Sequence, residues 1–281
     1  MMRFCILAGM CLQAAVAAAP GKPVRLIIYP QKANLTGDHA RQSLLVMAVF
    51  ADGMEQDVTA KATYTVLRAG SIRVTDSAVE AVAEGSAKLR AAFGGRSAEA
   101  EFVVTNLANK RPVSFLGDIA PIMTARGCTG SNCHGSVRGK AGFKLSLFGA
   151  RPDLDFEAIT KSDHGRRLNL AKAEDSLILK KPTMAIPHGG GLRFKADSEQ
   201  YELIRRWITS GAMYDTGSPK LEAIRVQPAE QILVGADAQQ RLIVTGMYAD
   251  GTVADLTRHV RYSSNDDTTA AVDDNGIVTA K

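Results

Sequence analysis

The chain has 281 residues, 46% of them hydrophobic and 22% charged, which is too long for one small domain and too polar for a membrane bundle; a length of this order suggests about two domains. The supply of Val, Ile and Leu excludes a mostly disordered chain. A net charge of +5, from 34 Lys and Arg against 29 Asp and Glu, without any basic run of nucleic-acid type, gives no argument for a nucleic-acid partner.

The N-terminus reads as a secretory signal over residues 1–18. Met1, Met2 and Arg3 form a short positive region, Phe4 to Ala19 is mostly apolar, and Val16, Ala17 and Ala18 supply the small residues of a cleavage site. Cleavage is expected after Ala18, because a cut after Ala19 would place Pro20 directly behind it. The alternatives are a buried N-terminal helix, or a lipoprotein cut before Cys11, for which Met10 is too bulky. No other run approaches the roughly 20 apolar residues of a membrane span. The expected location is therefore outside the cytoplasm, periplasmic or at the cell surface. Cys5 and Cys11 leave with the signal, so Cys128 and Cys133 are the two thiols of the mature chain, and they meet an oxidising compartment.

A repeat brackets the middle of the chain. Residues 44–53, LLVMAVFADG, match residues 242–251, LIVTGMYADG, at an offset of 198. The same register pairs Pro30 with Pro228, Leu35 with Leu233, Gly37 with Gly235, Asp57 with Asp255, Thr59 with Thr257, Tyr64 with Tyr262 and Val74 with Val272. Leu44 to Phe50 is a short continuous apolar run ending at a turn, which fits a strand buried on both faces. Its partner, Leu242 to Tyr248, carries Thr245 and Gly246, which favours strand over helix. Asp52-Gly53 and Asp250-Gly251 predict tight hairpin turns. Ala87 to Phe93 and Ala98 to Val104 predict two further strands turned at Gly94-Gly95, and this spacing of short strands suggests a sandwich. The pattern of Pro, then Ala-Asp-Gly, then Asp-x-Thr, then Tyr resembles the bacterial immunoglobulin-like group 2 (Big) domain over residues 22–106 and 221–281. That resemblance implies an extracellular spacer or adhesion module, with cell-envelope or glycan contact as its partner class; a purely architectural role is the favoured reading. Lys281 aligns with Ala83 of the first copy, so about 23 residues and two strands have no counterpart in the second, and this reading expects the protein to be a fragment that continues beyond Lys281.

Between the copies the period changes. Ser114 is expected to cap a helix bearing Phe115, Ile119, Ile122 and Met123, ended by Gly127; Asp197 or Ser198 starts another bearing Tyr201, Ile204, Trp207 and Ile208, ended by Gly211. Ala108–Pro112 and Thr216–Pro219 read as linkers. From Lys110 to Lys220 there are 18 Lys and Arg against 11 Asp and Glu; this surplus suits an acidic docking partner or a solvated basic face. Within the segment lies Gly127-Cys128-Thr-Gly-Ser-Asn-Cys133-His134-Gly135. Cys-x-x-Cys-His is the c-type haem attachment pattern; here four residues separate the thiols, and His134 follows at once as an iron ligand. Three alternatives stand beside it: a Cys128–Cys133 disulfide, a zinc site needing two more ligands from His164 and His188, and a redox-active dithiol, which lacks a surrounding strand–helix pattern.

The segment 112–214 resembles the planctomycete-type cytochrome c domain family, through Asp118-Ile-Ala-Pro-Ile122, Gly127-Cys128, Cys133-His134-Gly135, residues 142–149 (GFKLSLFG), Ser176-Leu-Ile-Leu179, His188-Gly-Gly-Gly191 and Trp207-Ile-Thr-Ser-Gly-Ala212. The resemblance implies one covalent haem c on Cys128 and Cys133, His134 as axial iron ligand, and Big-like domains flanking the haem domain in large exported proteins. Short family members place Met-Pro before the last helix, where this chain has Ile186-Pro187. The sixth ligand is therefore His188 or Met184, with His188 ahead because its stretch matches the longer family members. Arg193, Lys195 and Lys181 are candidates for the propionates, as are Arg166 and Arg167 more remotely; His39 and His259 read as surface residues. The expected fold class is multidomain: an all-β Ig-like sandwich, an all-α cytochrome c-like domain, and a truncated second Ig-like sandwich. The expected function is single-electron transfer to a redox partner protein rather than catalysis. The rivals are a haem peroxidase-like enzyme with an open sixth position, and an adhesion or glycan-binding protein with a structural Cys pair.

Overall fold

The computed structural model describes residues 21–37, 40–67, 70–108, 112–214, 217 and 219–281. The signal reading of residues 1–18, Cys5, Cys11, His39 and parts of both linkers lie outside the described residues.

The described residues of the first copy form ten strands: β1 (Arg25–Tyr29), β2 (Lys32–Thr36), β3 (Arg41–Ser43), β4 (Leu45–Val49), β5 (Glu55–Asp57), β6 (Thr63–Val66), β7 (Ile72–Thr75), β8 (Ala78–Ala81), β9 (Gly85–Phe93) and β10 (Arg96–Thr105). They build three sheets, in the orders β1-β4-β5, β2-β10-β9-β6 and β3-β8-β7. Alternation decides which side faces in. Ala87, Leu89 and Ala91 of β9 and Ala100, Phe102 and Val104 of β10 enter a core shared with Ile28, Val46, Ala48 and Val79. The intervening Lys88, Arg90, Glu99 and Glu101 face outward, where Lys88 and Arg90 both reach Glu99, at 2.9 and 2.7 Å. The hairpin turns at Asp52-Gly53 and Asp250-Gly251 form as the sequence predicts: Gly53 and Gly251 have φ of +84° and +81°, and each Asp Oδ1 accepts the amide two residues on.

The second copy forms β11 (Leu221–Gln227), β12 (Gln239–Arg241), β13 (Ile243–Tyr248), β14 (Val253–Asp255), β15 (Ala270–Val272) and β16 (Ile277–Ala280), in sheets β11-β13-β14 and β12-β16-β15. These repeat β1-β4-β5 and β3-β8-β7 of the first copy. The four-stranded sheet has no counterpart among the described residues. In the first copy β2 pairs only with β10, and β6 only with β9. With no equivalent of β9 and β10 beside them, residues 231–234 and 261–264, which match parts of β2 and β6, form no strand. Ile224 is 53% exposed, where its match Leu26 is 7%.

The continuous apolar run of β4 is buried on both faces, for two different reasons. Leu44, Val46 and Ala48 line the core of the first copy. Leu45 and Met47, on the opposite face, pack with Ile243 of the second copy. Each fully buried aliphatic side chain of this size contributes about 1.5–3 kcal/mol.

The middle segment corrects the expected fold class. It is not an all-α domain. The chain is mostly β, 32% strand against 18% helix, and the segment carries only short helices: a π turn at Phe115–Ile119, then α1 (Ala120–Ala125), α2 (Pro152–Thr160), α3 (Leu177–Lys180) and α4 (Glu199–Thr209), with isolated 3-10 turns between. The reason lies in the intervening chain. Gly127, Gly139, Gly142, Gly149, Gly165 and Gly191 all have positive φ, as do Ala141, Phe148, Asp163, His164 and Met184, and helices do not propagate through such residues. The predicted ends of the terminal helices do form. Ser114 Oγ accepts from Gly117 N, while Ser114 N donates to Asp118 Oδ2. The first turn widens to π where Pro121 has no amide to donate. Ser198 caps α4 through Tyr201 N. Phe115, Ile119, Ile122, Leu179, Ile204, Trp207 and Ile208 form one core beneath the loops.

Candidate functional site

The cysteine loop begins where α1 ends. Gly127 turns with φ +73°, and Cys128 N donates back to Met123 O at 2.8 Å. Two turns follow, closed by Gly130 N on Gly127 O, Cys133 N on Gly130 O and His134 N on Cys128 O. Gly135 is sterically obligatory: a Cβ there would lie 1.9 Å from Thr129 O and 3.0 Å from Gly130 O. Both cysteines are free and half-buried. Cys128 packs against the core, and burial pushes its thiol up to about 11. Arg193 Nη2 lies 3.8 Å from Cys133 Sγ.

His134 is fixed by its second nitrogen. Nδ1 is 3.0 Å from Phe143 O, and the Phe143 ring packs at 4.6 Å. That carbonyl is held by the Lys140–Phe143 bridge, and Arg167 lies over the Phe143 ring at 4.5 Å. The Arg167 guanidinium is buried and donates to Ala158 O, Ser162 O and Gly142 O, so it braces the loop behind His134. Burial, then the neighbouring His188 and arginines, hold the His134 imidazole below its ordinary value, against the raising effect of Phe143 O.

His188 arrives from the loop between α3 and α4, and its Nδ1 lies 2.9 Å from Gly191 O. Its ring is parallel to that of His134 within 9°, at 6.3 Å between centroids. Gly190 makes room for it, because a Cβ there would meet His188 Cε1 at 2.8 Å. Lys181 Nζ donates to Pro187 O in the same loop. Met184 sits on a turn with φ +59° and is 47% exposed.

The donor set can be tested against each chemistry. With Nδ1 of both histidines committed to a backbone carbonyl, Nε2 of both carries the free lone pair. No group of three or more His, Cys, Asp or Glu side chains is gathered for a metal among the described residues, and His164 is exposed on a separate turn. Without such a cluster the residues do not form a preformed tetrahedral zinc site. Two free thiols and two imidazoles, each with Nδ1 on a backbone carbonyl, are donors of the kind that haem c takes.

Of the residues picked out from sequence, Cys128, Cys133, His134, His188 and Arg193 are brought together. Lys195 has no contact described with them, and Arg166 is exposed beside Asp163. Sequence reasoning missed the bracing roles of Phe143 and Arg167; the only local hint was the apolar Gly-Phe-Lys-Leu stretch. It also missed the second copy's approach to the loop. Arg261 Nη1 lies 3.0 Å from where a Gly130 Cβ would sit, Arg126 pairs with Asp274 at 3.9 Å, and Arg258 with Glu199 at 3.5 Å. No helix among the described residues is long and apolar enough to cross a membrane. No family model and no curated protein matches the chain.

Proposed function

We propose that this chain is an exported c-type cytochrome that carries one covalent haem and passes single electrons to a partner protein. The observation that carries the reading is the parallel His134–His188 pair beside two free thiols, each imidazole oriented by a backbone carbonyl. When bound, the haem would supply a one-electron ferric/ferrous couple. Cys128 and Cys133 would hold it by thioethers. His134, whose imidazole burial holds below its ordinary value, and His188 would each offer Nε2 to the iron. The carbonyls of Phe143 and Gly191 fix which nitrogen is free, and Gly135 and Gly190 keep the backbone close enough for both rings to stay in place. Two imidazoles available to the iron would favour electron transfer over peroxidase chemistry, which needs an open position. The leader at residues 1–18 supports export, and the basic surplus of the middle segment supports an acidic redox partner.

The test is periplasmic expression with a cytochrome maturation system. A red protein is expected, whose denatured mass includes one haem; a colourless protein with a Cys128–Cys133 disulfide would overturn the reading. His188→Ala should turn the iron high spin, while Met184→Leu should leave it low spin. A wild-type iron that is high spin from the start would favour the peroxidase-like alternative.

A further inference from the structure

The contact between the two copies is reciprocal. Ser43 N donates to Asp255 Oδ2 at 2.5 Å, and Arg241 N donates to Asp57 Oδ2 at 2.6 Å. The repeat offset of 198 converts Ser43 into Arg241 and Asp57 into Asp255, so the two bonds are one interaction made twice. The same offset relates Leu45 to Ile243, and these two meet in the apolar centre of the contact. Each aspartate is held ready by its own turn: Oδ1 of Asp57 accepts Thr59 N, and Oδ1 of Asp255 accepts Thr257 N. Residue i of one copy meets j of the other, and j meets i, which is the definition of an isologous, self-complementary interface.

A surface of this kind carries both halves of its own recognition. The first copy alone presents the amide of Ser43, the carboxylate of Asp57 and the apolar Leu45 between them. We infer that this face is a homotypic docking surface whose partner is a second copy of the same repeat. In the intact chain the partner is supplied in cis, as an intramolecular partner. When the second copy's face is disabled, the first copies of two chains pair through it. Asp57 of each chain then takes the amide of Ser43 of the other, and the two Leu45 side chains meet at the axis. This inference does not depend on haem.

The experiment uses the full chain and sedimentation equilibrium over the micromolar range, with far-UV circular dichroism to verify the strands of every variant. Wild type is expected to be a monomer. Ile243→Asp with Asp255→Ala, which spoils only the second copy's face, is expected to double the mass in a concentration-dependent way. Adding Leu45→Asp and Asp57→Ala, which spoils the first copy's face as well, is expected to return the monomer. If the double variant loses its strand signal, Asp255→Lys alone takes its place with the same expected outcome. A folded double variant that stays monomeric overturns the inference. So does a dimer that survives loss of both faces, or a wild-type dimer indifferent to all four changes.

Discussion

At the scale of single residues, this molecule relies on groups that have no room to change. Gly135 is the clearest, since any Cβ collides with the carbonyl of Thr129. Gly135→Ala should therefore cost roughly 2–4 kcal/mol in the central segment, read by urea unfolding, and, on the proposed function, lower the haem-to-protein absorbance ratio. Tyr64 and Tyr262 offer a second check. Each hydroxyl donates to a backbone carbonyl five residues back, at Thr59 and Thr257. Burial is the largest cause pushing the Tyr64 phenol up to about 12, and burial raises Tyr262 as well. The unfolded chain releases a tyrosine proton near pH 10, so above that pH it holds fewer protons than the folded chain and stability falls as pH rises toward about 12. Tyr64→Phe should remove part of this alkaline loss, seen as a smaller drop in urea midpoint between neutral and alkaline buffer, while lowering stability at neutral pH by about 1 kcal/mol for the lost hydrogen bond.

At the scale of elements, the repeat motif acquires a cause. Thr59 Oγ1 accepts Val46 N at 2.8 Å and bonds Asp57; Thr257 Oγ1 accepts Val244 N at 3.0 Å. The threonine thus supplies an acceptor to a buried strand amide next to the turn. Thr59→Ala and Thr257→Ala should each cost about 1–3 kcal/mol by leaving that amide unpaired, measured by chemical unfolding, and Thr59→Ser should recover most of the loss. The strands, the Asp-Gly turns and the caps at Ser114 and Ser198 were legible because each is written in a few adjacent residues. The all-α expectation failed on the stretch from Gly127 to Gly191, where a likeness of motifs outweighed the local signal of glycine and proline. The pair of bonds from Ser43 and Arg241 was illegible for the opposite reason. They span 212 and 184 positions in the chain, and no local pattern announces a carboxylate that serves a backbone amide so far away. The cysteine motif and its adjacent His134 stand out by spacing alone. The stacking of His188 on His134 does not, because it depends on how the folded backbone brings two distant loops together.

At the scale of the whole molecule, the parts can be followed separately. Trp207 is the single tryptophan, fully buried against Phe115 at 5.5 Å, with its indole N–H on Met213 O. Its fluorescence therefore reports the central segment, while far-UV circular dichroism follows the strands together with the short helices. Replacing Asp57 and Asp255 together by Ala should shift the strand transition to lower urea by the equivalent of about 1–3 kcal/mol and leave the tryptophan transition nearly in place; equal shifts in both would show that the segments unfold as one unit. The reciprocal contact also changes how the chain carries force. The first and second copies are tied directly to each other, so tension applied between residue 23 and residue 281 runs through Asp57, Asp255 and the Leu45–Ile243 contact. The polypeptide joining the copies runs in parallel with that path, through the central segment. The cysteine loop and the two histidines are mechanically shielded until the tie between the copies parts, and pulling experiments should find that rupture before any extension of the central segment.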